Sequence, residues 1–457
     1  MLIQLAPTAE FPPDTRTVRW NSNAQNALTS IESFRSSLMN AVRRNILALY
    51  ILQGANYLLP LFVVPYLVRV LGATGYGRVA FAQGFIGYFV VLTDYGFNLS
   101  ATRAVALARN DRKALSSVFS AVICVKAAFM SVYFGIMLAL ITYVPQLAHD
   151  RTLYLLTFLS VLGNVLFPVW LFQGLERMRA ITTLTISARL LTSASIFLFV
   201  HSRGDYRVAA ALQASSSVIA GIAALTLIPS MTQLRIRWPG IPMLRTVTSD
   251  GWHVFLSTAA ISLYTSSSVF VLGILSNPAV VGYFSAAQKL IRAVASLVSP
   301  LSQAVFPRVA FLAGRNRTAA LEFAGRLLLW QGLTTMVISA AVFIFARPLV
   351  LLVLGPQFAP SVPVVLWMAP LPLIIGLSNV FGVQIMLNFG MKRTFSRILI
   401  LSALTNIVLL VPLAYWFAAE GAAISVLFTE FAVTTSMYIA LRLRRILPQI
   451  GASQWAR

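Results

Sequence analysis

The chain has 457 residues, 58% hydrophobic and only 10% charged, with a mean hydropathy of +0.81. A soluble chain would carry about a quarter charged residues, so a water-soluble class is excluded, and apolar runs of about 20 residues without alternation exclude a membrane β-barrel. The net charge of +23 does not point to nucleic acid, because the bases fall mainly in short gaps between apolar runs. The single cysteine, Cys124, permits neither an internal disulfide nor a cysteine-rich metal site.

Residues 1–38 are polar, carry Phe11-Pro-Pro-Asp14 and lack the apolar core of a secretory signal. A disordered cytoplasmic tail is expected over 1–44, with Met39 as the natural start. Apolar runs then predict twelve spans, at about 46–69, 79–99, 116–142, 152–172, 181–200, 207–229, 252–275, 280–306, 327–346, 361–388, 396–417 and 420–441. Pro363, Pro370 and Pro372 predict a kink in the tenth. The fold class is an all-α polytopic membrane protein. Its organisation is a six-helix lobe over 45–229, a cytoplasmic linker over 230–251, a second six-helix lobe over 252–445 and a cytoplasmic tail over 446–457.

The bases set the expected topology. With a cytoplasmic N-terminus, 25 of the 35 Lys and Arg residues fall on inside segments, 6 on outside segments, and 4 within spans. Both termini are therefore expected in the cytoplasm. All outside loops are short, and the longest is expected at about 348–360.

A short internal repeat links the two halves. Gly77, Ala82, Gln83 and Ile86 match Gly282, Ala287, Gln288 and Ile291 at an offset of 205 residues. The matches fall where a six-plus-six duplication places them, and the two copies run parallel, so the expected lobes are related by an axis along the membrane normal. The copies are unequal in charge: Lys289 stands where the first has Gly84, and Arg292 where it has Gly87.

The stretch Val281–Gln303 reads as one apolar helix with a polar seam. Ser285, Lys289, Arg292, Ser296, Ser299 and Gln303 recur at steps of four and three, which is one face of a helix. A charge at mid-bilayer costs about 2.5–3.5 kcal/mol, so the two cations face either a wet cavity that receives an anion or a structural partner such as a carbonyl or Glu430. Arg189 lies mid-span with Thr182, Thr185 and Thr192 on its side, and Lys126 lies inside the third span. Either cation lines the same cavity or is satisfied structurally, Lys126 by snorkelling and Arg189 by an internal ion pair.

Asp94 and Glu430 are the acids within spans. Each is a candidate proton or sodium coupling site, against capping or pairing with Arg103 for Asp94. The hydroxyls of the seventh span, Ser257 to Ser268, face either a sugar or a tightly packed neighbour. No Gly-Lys dipeptide and no HExxH motif occurs, and His149, His201 and His253 lie far apart.

Asn56-Tyr-Leu-Leu-Pro-Leu61, Pro65-Tyr-Leu-Val-Arg-Val-Leu-Gly72, Tyr76-Gly77, Asp94-Tyr-Gly-Phe97, Val281-Gly-Tyr-Phe-Ser-Ala-Ala-Gln-Lys289 and Phe306-Pro-Arg308 resemble the bacterial polysaccharide-export family, the O-antigen flippases. The likeness is specific over about 40–130 and 280–310, and these motif residues are expected to be markers of the fold. It implies a non-enzymatic flippase of the multidrug/oligosaccharidyl-lipid/polysaccharide superfamily, in a bacterial inner membrane. Such a protein would pass undecaprenyl-diphosphate-linked oligosaccharide outward by alternating access through a cationic lumen. Placement in the spans, rather than the motifs, assigns Lys126, Arg189, Lys289, Arg292, Gln288 and Gln303 to the substrate, and Asp94 and Glu430 to ion coupling. No cofactor is expected beyond a proton or sodium ion. The expected partners are the lipid-linked oligosaccharide, membrane lipids, a polysaccharide polymerase and a chain-length regulator. The rivals are a multidrug exporter or lipid II flippase of the same superfamily, and a membrane polymerase or ligase. An exporter of cations prefers an acidic cavity, and a polymerase or ligase needs a large external loop.

Overall fold

The computed structural model describes residues 59, 62–232, 234 and 238–447, all within one compact unit, Ala48–Arg457. The expected N-terminal tail, the choice of Met39 as start and residues 448–457 lie outside the described residues. No strand occurs among the described residues. Seven helices among them are long and apolar enough to cross a membrane: Arg112–Tyr143, Arg151–Gly174, Met178–Phe199, Arg203–Ser230, Arg317–Ile344, Ser361–Met386 and Lys392–Leu443.

Helix α1 runs over 62–94 and is broken at Gly72, whose φ of 69° a right-handed helix cannot continue through. It ends at Tyr95 and Gly96, both left-handed, which turn the chain into α2, Phe97–Ala108. Here the Asp94-Tyr-Gly-Phe97 motif gains a physical meaning. Tyr95 stacks on Phe255 at 4.8 Å, a side chain on Gly96 would strike Val254, and Phe97 is fully buried. Helix α3, Arg112–Tyr143, starts where Asp111 accepts from the backbone N–H groups of Lys113 and Ala114. After the short α4, Pro145–Ala148, helix α5 (Arg151–Leu166) stops because Phe167 precedes Pro168 and is extended, and α6 (Val169–Gly174) resumes the same span. Helices α7 (Met178–Phe199) and α8 (Tyr206–Thr232) complete the first half.

Helix α9, Gly240–Leu275, takes in residues 240–251 of the expected linker. Helix α10, Pro278–Ser296, begins with proline at its first position behind an Asn277 cap on the Val280 N–H. It then breaks. Leu297 and Val298 separate it from α11, Ser299–Arg315, so the continuous helix expected through Gln303 is corrected to two segments, and the side chains of Ser299 and Gln303 lie outside the described residues. Helix α12 (Arg317–Ile344) is followed by α13 (Ala346–Val353) and a short 3-10 turn, so the expected long loop at 348–360 is largely helical. The proline-rich tenth span is α14 (Ser361–Met368), α15 (Leu371–Asn379) and a π-helix at Val380–Met386, interrupted at Ala369-Pro370 as its prolines require. Helix α16, Lys392–Leu443, covers the last two expected spans and reverses its backbone at Ala418, with φ 47° and ψ −122°.

Two contacts fix how these helices meet. The first is reciprocal. A Cβ on Gly77 of α1 would overlap the carbonyl oxygen of Pro278 in α10, and a Cβ on Gly282 of α10 would overlap the carbonyl oxygen of Ala73 in α1. Ala73 and Pro278 are themselves 205 residues apart, so the repeat offset relates one contact to the other. The same end is closed further by main-chain acceptors. Arg69 donates to the Leu352 carbonyl, and Gln357 Nε2 donates to the carbonyls of Val68 and Arg69 at 3.0 and 2.9 Å. The largest apolar core, which includes Leu71, Tyr76, Ile86, Phe284, Ile291 and Phe358, lies on these elements.

The second is a buried ion pair. Lys126 Nζ on α3 donates to Asp94 Oδ1 at 3.1 Å and to the Asn164 carbonyl on α5 at 3.0 Å, while Asn98 Nδ2 donates to Asp94 Oδ2 at 2.7 Å. The side chains are only 2% and 12% exposed, so each charge depends on the other.

Two predictions follow from these contacts. Gly77→Leu or Gly282→Leu forces α1 and α10 apart and lowers the yield of folded protein in detergent, whereas Gly87→Ala, which meets nothing within 4 Å, leaves it unchanged; size-exclusion profiles measure both. Lys126→Met strands the Asp94 carboxylate and destabilises by about 3–5 kcal/mol, and the double change with Asp94→Leu recovers most of that loss in thermal unfolding.

Candidate functional site: a cationic cavity

Helices α7, α8, α10, the start of α1 and the α5–α6 junction line an open cavity of about 720 Å³. Arg189 reaches it from α7, and Lys289 and Arg292 reach it from α10. Their periodicity explains the convergence: Lys289 and Arg292 are three apart on one helix, and Arg189 shares a face with Thr185 and Thr192, which also line the space. No carboxylate is among the described lining residues. The volume suits a drug-sized or larger polar group, within the usual range of about 300–1,000 Å³ for ligand pockets.

Part of the wall is uncharged and polar. Ser193 on α7, and Gln213, Ser216 and Ser217 on α8, face the same space. Gln83 Nε2 donates to Gln213 Oε1 at 3.1 Å, and Gln213 Nε2 donates to the Ala209 carbonyl at 3.2 Å, so the Gln213 amide is held from two sides. No expectation from the sequence named this wall. Its signal was present in Gln213-Ala-Ser-Ser-Ser217, a polar run inside an apolar span.

Gln288 and Glu430 lie elsewhere. With Arg292 and Ser268 they line a separate chamber of about 70 Å³ between α10 and α16. Arg292 therefore borders both spaces. The side chain of Gln303 lies outside the described residues, as do those of Ser257, Tyr264 and Thr265. Of the remaining seventh-span hydroxyls, Ser267 donates to Asn406 Oδ1 at 3.4 Å, and Asn406 donates in turn to Ser425 and Thr429 on α16. Ser267 is thus a packing hydroxyl that ties α9 to α16.

Lys126 is not at the cavity. Its ammonium is committed to Asp94 and to the Asn164 carbonyl, in a dry site among α1, α3 and α5. The same pair occupies Asp94, which meets Lys126 and Asn98 rather than Arg103. An acid near a cation in sequence could not be assigned to this partner, because 32 residues separate the two.

Among the described residues no group of three or more His, Cys, Asp or Glu side chains could hold a metal ion. What the cavity offers is fixed positive charge beside neutral hydrogen-bonding groups, which is the chemistry that receives an anion carrying hydroxyls.

Comparison with known proteins agrees in sequence and in shape. A protein named "Putative O-antigen transporter" from Escherichia coli (strain K12) is 35% identical over 89% of this chain and 98% of its own length, and one of the same name from Shigella dysenteriae is 30% identical over 88% and 100%. In fold, the chain superposes on the lipid II flippase MurJ in an inward closed conformation with a TM-score of 0.70, at 11% identity and 88% coverage of each chain. An inward-facing multidrug resistance transporter of the MOP superfamily follows at a TM-score of 0.59, at 14% identity, with 88% of this chain and 98% of that one covered. The model of the family described as polysaccharide biosynthesis protein matches residues 42–312, a span that contains α1, α7, α8 and α10 and so every charged residue of the cavity wall, and the chain belongs to that family.

Proposed function

We propose that this chain is an inner-membrane flippase, not an enzyme, that carries oligosaccharide linked to undecaprenyl diphosphate from the cytoplasmic to the outer leaflet. The observation that carries the proposal is the meeting of Arg189, Lys289 and Arg292 on one cavity with no carboxylate among its described lining residues. A diphosphate brings about two negative charges, and crossing hydrocarbon bare would cost many kcal/mol. Guanidinium and ammonium groups replace the lost water, and charge-assisted hydrogen bonds of this kind are about twice as strong as neutral ones. The hydroxyls and amide of α7 and α8 suit the adjoining sugars. The prenyl tail stays in lipid.

In this proposal two six-helix lobes, related by the repeat, alternate access about the cavity, with both termini in the cytoplasm. The reciprocal Gly77 and Gly282 contacts support a twofold relation, and the charge distribution supports the orientation. The membrane potential then assists export: with the inside negative, outward movement of anions gains about 2.3 kcal/mol per charge per 100 mV. Coupling to a proton or sodium ion is assigned to Glu430, which borders the chamber it shares with Arg292. Asp94 is a poorer candidate, since its carboxylate is engaged by Lys126. A cavity lined by cations disfavours the multidrug reading, which needs acids to receive organic cations. A polymerase and a chain-length regulator remain the proposed protein partners.

Arg189→Ala, Lys289→Ala and Arg292→Ala are each expected to lower surface polysaccharide about tenfold at unchanged protein level, matching the loss of one charge-assisted bond of about 1.5–3 kcal/mol. Gel profiles of surface polysaccharide beside immunoblots measure this, and wild-type output from all three overturns the anion site. In vesicles reconstituted with the protein, an inside-negative potassium diffusion potential should raise the fraction of undecaprenyl-diphosphate sugar in the outer leaflet. Insensitivity to the potential would show that the translocated complex carries no net charge.

A further inference from the structure

Lys289 has two neighbours of different kinds. On one side it lines the large cavity, and on the other its Nζ lies 5.1 Å from the centroid of the Tyr76 ring. Tyr76 belongs to α1 and Lys289 to α10, so this cation–π contact spans the two halves of the chain. Tyr76 is only 1% exposed, and its hydroxyl is buried without a partner among the described residues. The residue is therefore not held there by its polar tip. The ring is what the site uses.

The ring also sits at the closed end. Tyr76 adjoins Gly77, whose Cα packs on the Pro278 carbonyl, and its edge meets Phe358 at 6.4 Å. Phe358 in turn meets Tyr283 of α10 edge-on at 5.8 Å. From Gly282, at the crossing, to Lys289 is two turns of one helix, about 10 Å. One rigid segment thus carries both the contact that closes the end and the cation that faces the cavity.

A ring face attracts an ammonium through its quadrupole, and a phosphate attracts it with full charge. The two directions compete, because a cation drawn toward an anion in the cavity leaves the ring. We infer that Tyr76 is the positioning residue for Lys289, and that anion occupancy reaches the α1–α10 crossing when the Lys289 ammonium gives up the Tyr76 ring for phosphate. This rests on the proposal that the cavity receives a diphosphate. An empty cavity leaves the cation on the ring and the end shut, and an occupied one removes one of the contacts that hold it shut.

The test uses the full chain in lipid vesicles, with Cys124→Ser as background and spin labels on Thr74→Cys and Leu275→Cys, both at exposed positions flanking the crossing. Undecaprenyl diphosphate is the probe and undecaprenol the uncharged control. In the unmodified site the diphosphate, and not the alcohol, enlarges the long-distance population. Tyr76→Phe keeps the ring face and retains that response. Tyr76→Leu removes the face, raises the long-distance population without any ligand by about tenfold, and leaves the diphosphate less than a twofold further effect. Where Tyr76→Leu yields too little folded protein, Lys289→Met breaks the same contact from the other side and raises the ligand-free population by a similar factor. A ligand-free population and a diphosphate response in Tyr76→Leu equal to those of the parent overturn the inference. Failure of the parent to bind undecaprenyl diphosphate in a direct binding measurement overturns instead the function on which it rests.

Discussion

The cost of charge inside an apolar bundle governs this structure. A cation on a membrane-spanning helix must be paired, hydrogen-bonded or wetted, and the chain uses distinct solutions in distinct places. Lys126 is paired, with Asp94 and a carbonyl around it and almost no exposure. Arg189, Lys289 and Arg292 instead border open space large enough for a polar guest. The same residue types therefore sit in two settings, a dry ion pair in one place and the wall of an open space in the other. Where α1 presents a carboxylate the Lys126 site is dry and paired, and where α7, α8 and α10 border the cavity the described lining adds hydroxyls and an amide to the three cations.

The meeting of α1 and α10 gives the cavity its frame. Two glycines at equivalent positions let each helix backbone press on a carbonyl of the other, a separation that any side chain would prevent. Arg69 and Gln357 add donors directed at main-chain acceptors rather than at side chains. Main-chain acceptors remain in place whatever the neighbouring side chains become, so this end is defined by backbone shape. The cavity beyond it is defined by side chains.

Much of this was legible in the sequence because periodicity survives folding. Steps of three and four placed Lys289 with Arg292 and Arg189 with Thr185 and Thr192, and the structure puts all five on one cavity. The repeat offset identified Gly77 and Gly282, which prove to be the crossing point. Three features were hidden, each for a physical reason. The partner of Lys126 depends on how α1 and α3 pack, and no local pattern encodes a contact across 32 residues. The break at Leu297-Val298 has no glycine, and its proline lies at Pro300, two residues beyond, so hydropathy alone carries the helix through. The polar wall of α8 was obscured because serines inside spans commonly serve packing, as Ser267 does here.

The unequal repeat has a consequence for charge dosage. The positions equivalent to Lys289 and Arg292 in the first copy are Gly84 and Gly87. Had both copies kept the same residues, a twofold arrangement would have surrounded its axis with either four positive groups or none from these positions. Under the proposed function, four would hold a dianion more firmly than two, and none would leave only Arg189 to meet it. Broken symmetry supplies an intermediate number, two cations from α10 that Arg189 joins from α7 in the other half, which under the proposed function binds a dianion and still lets it leave.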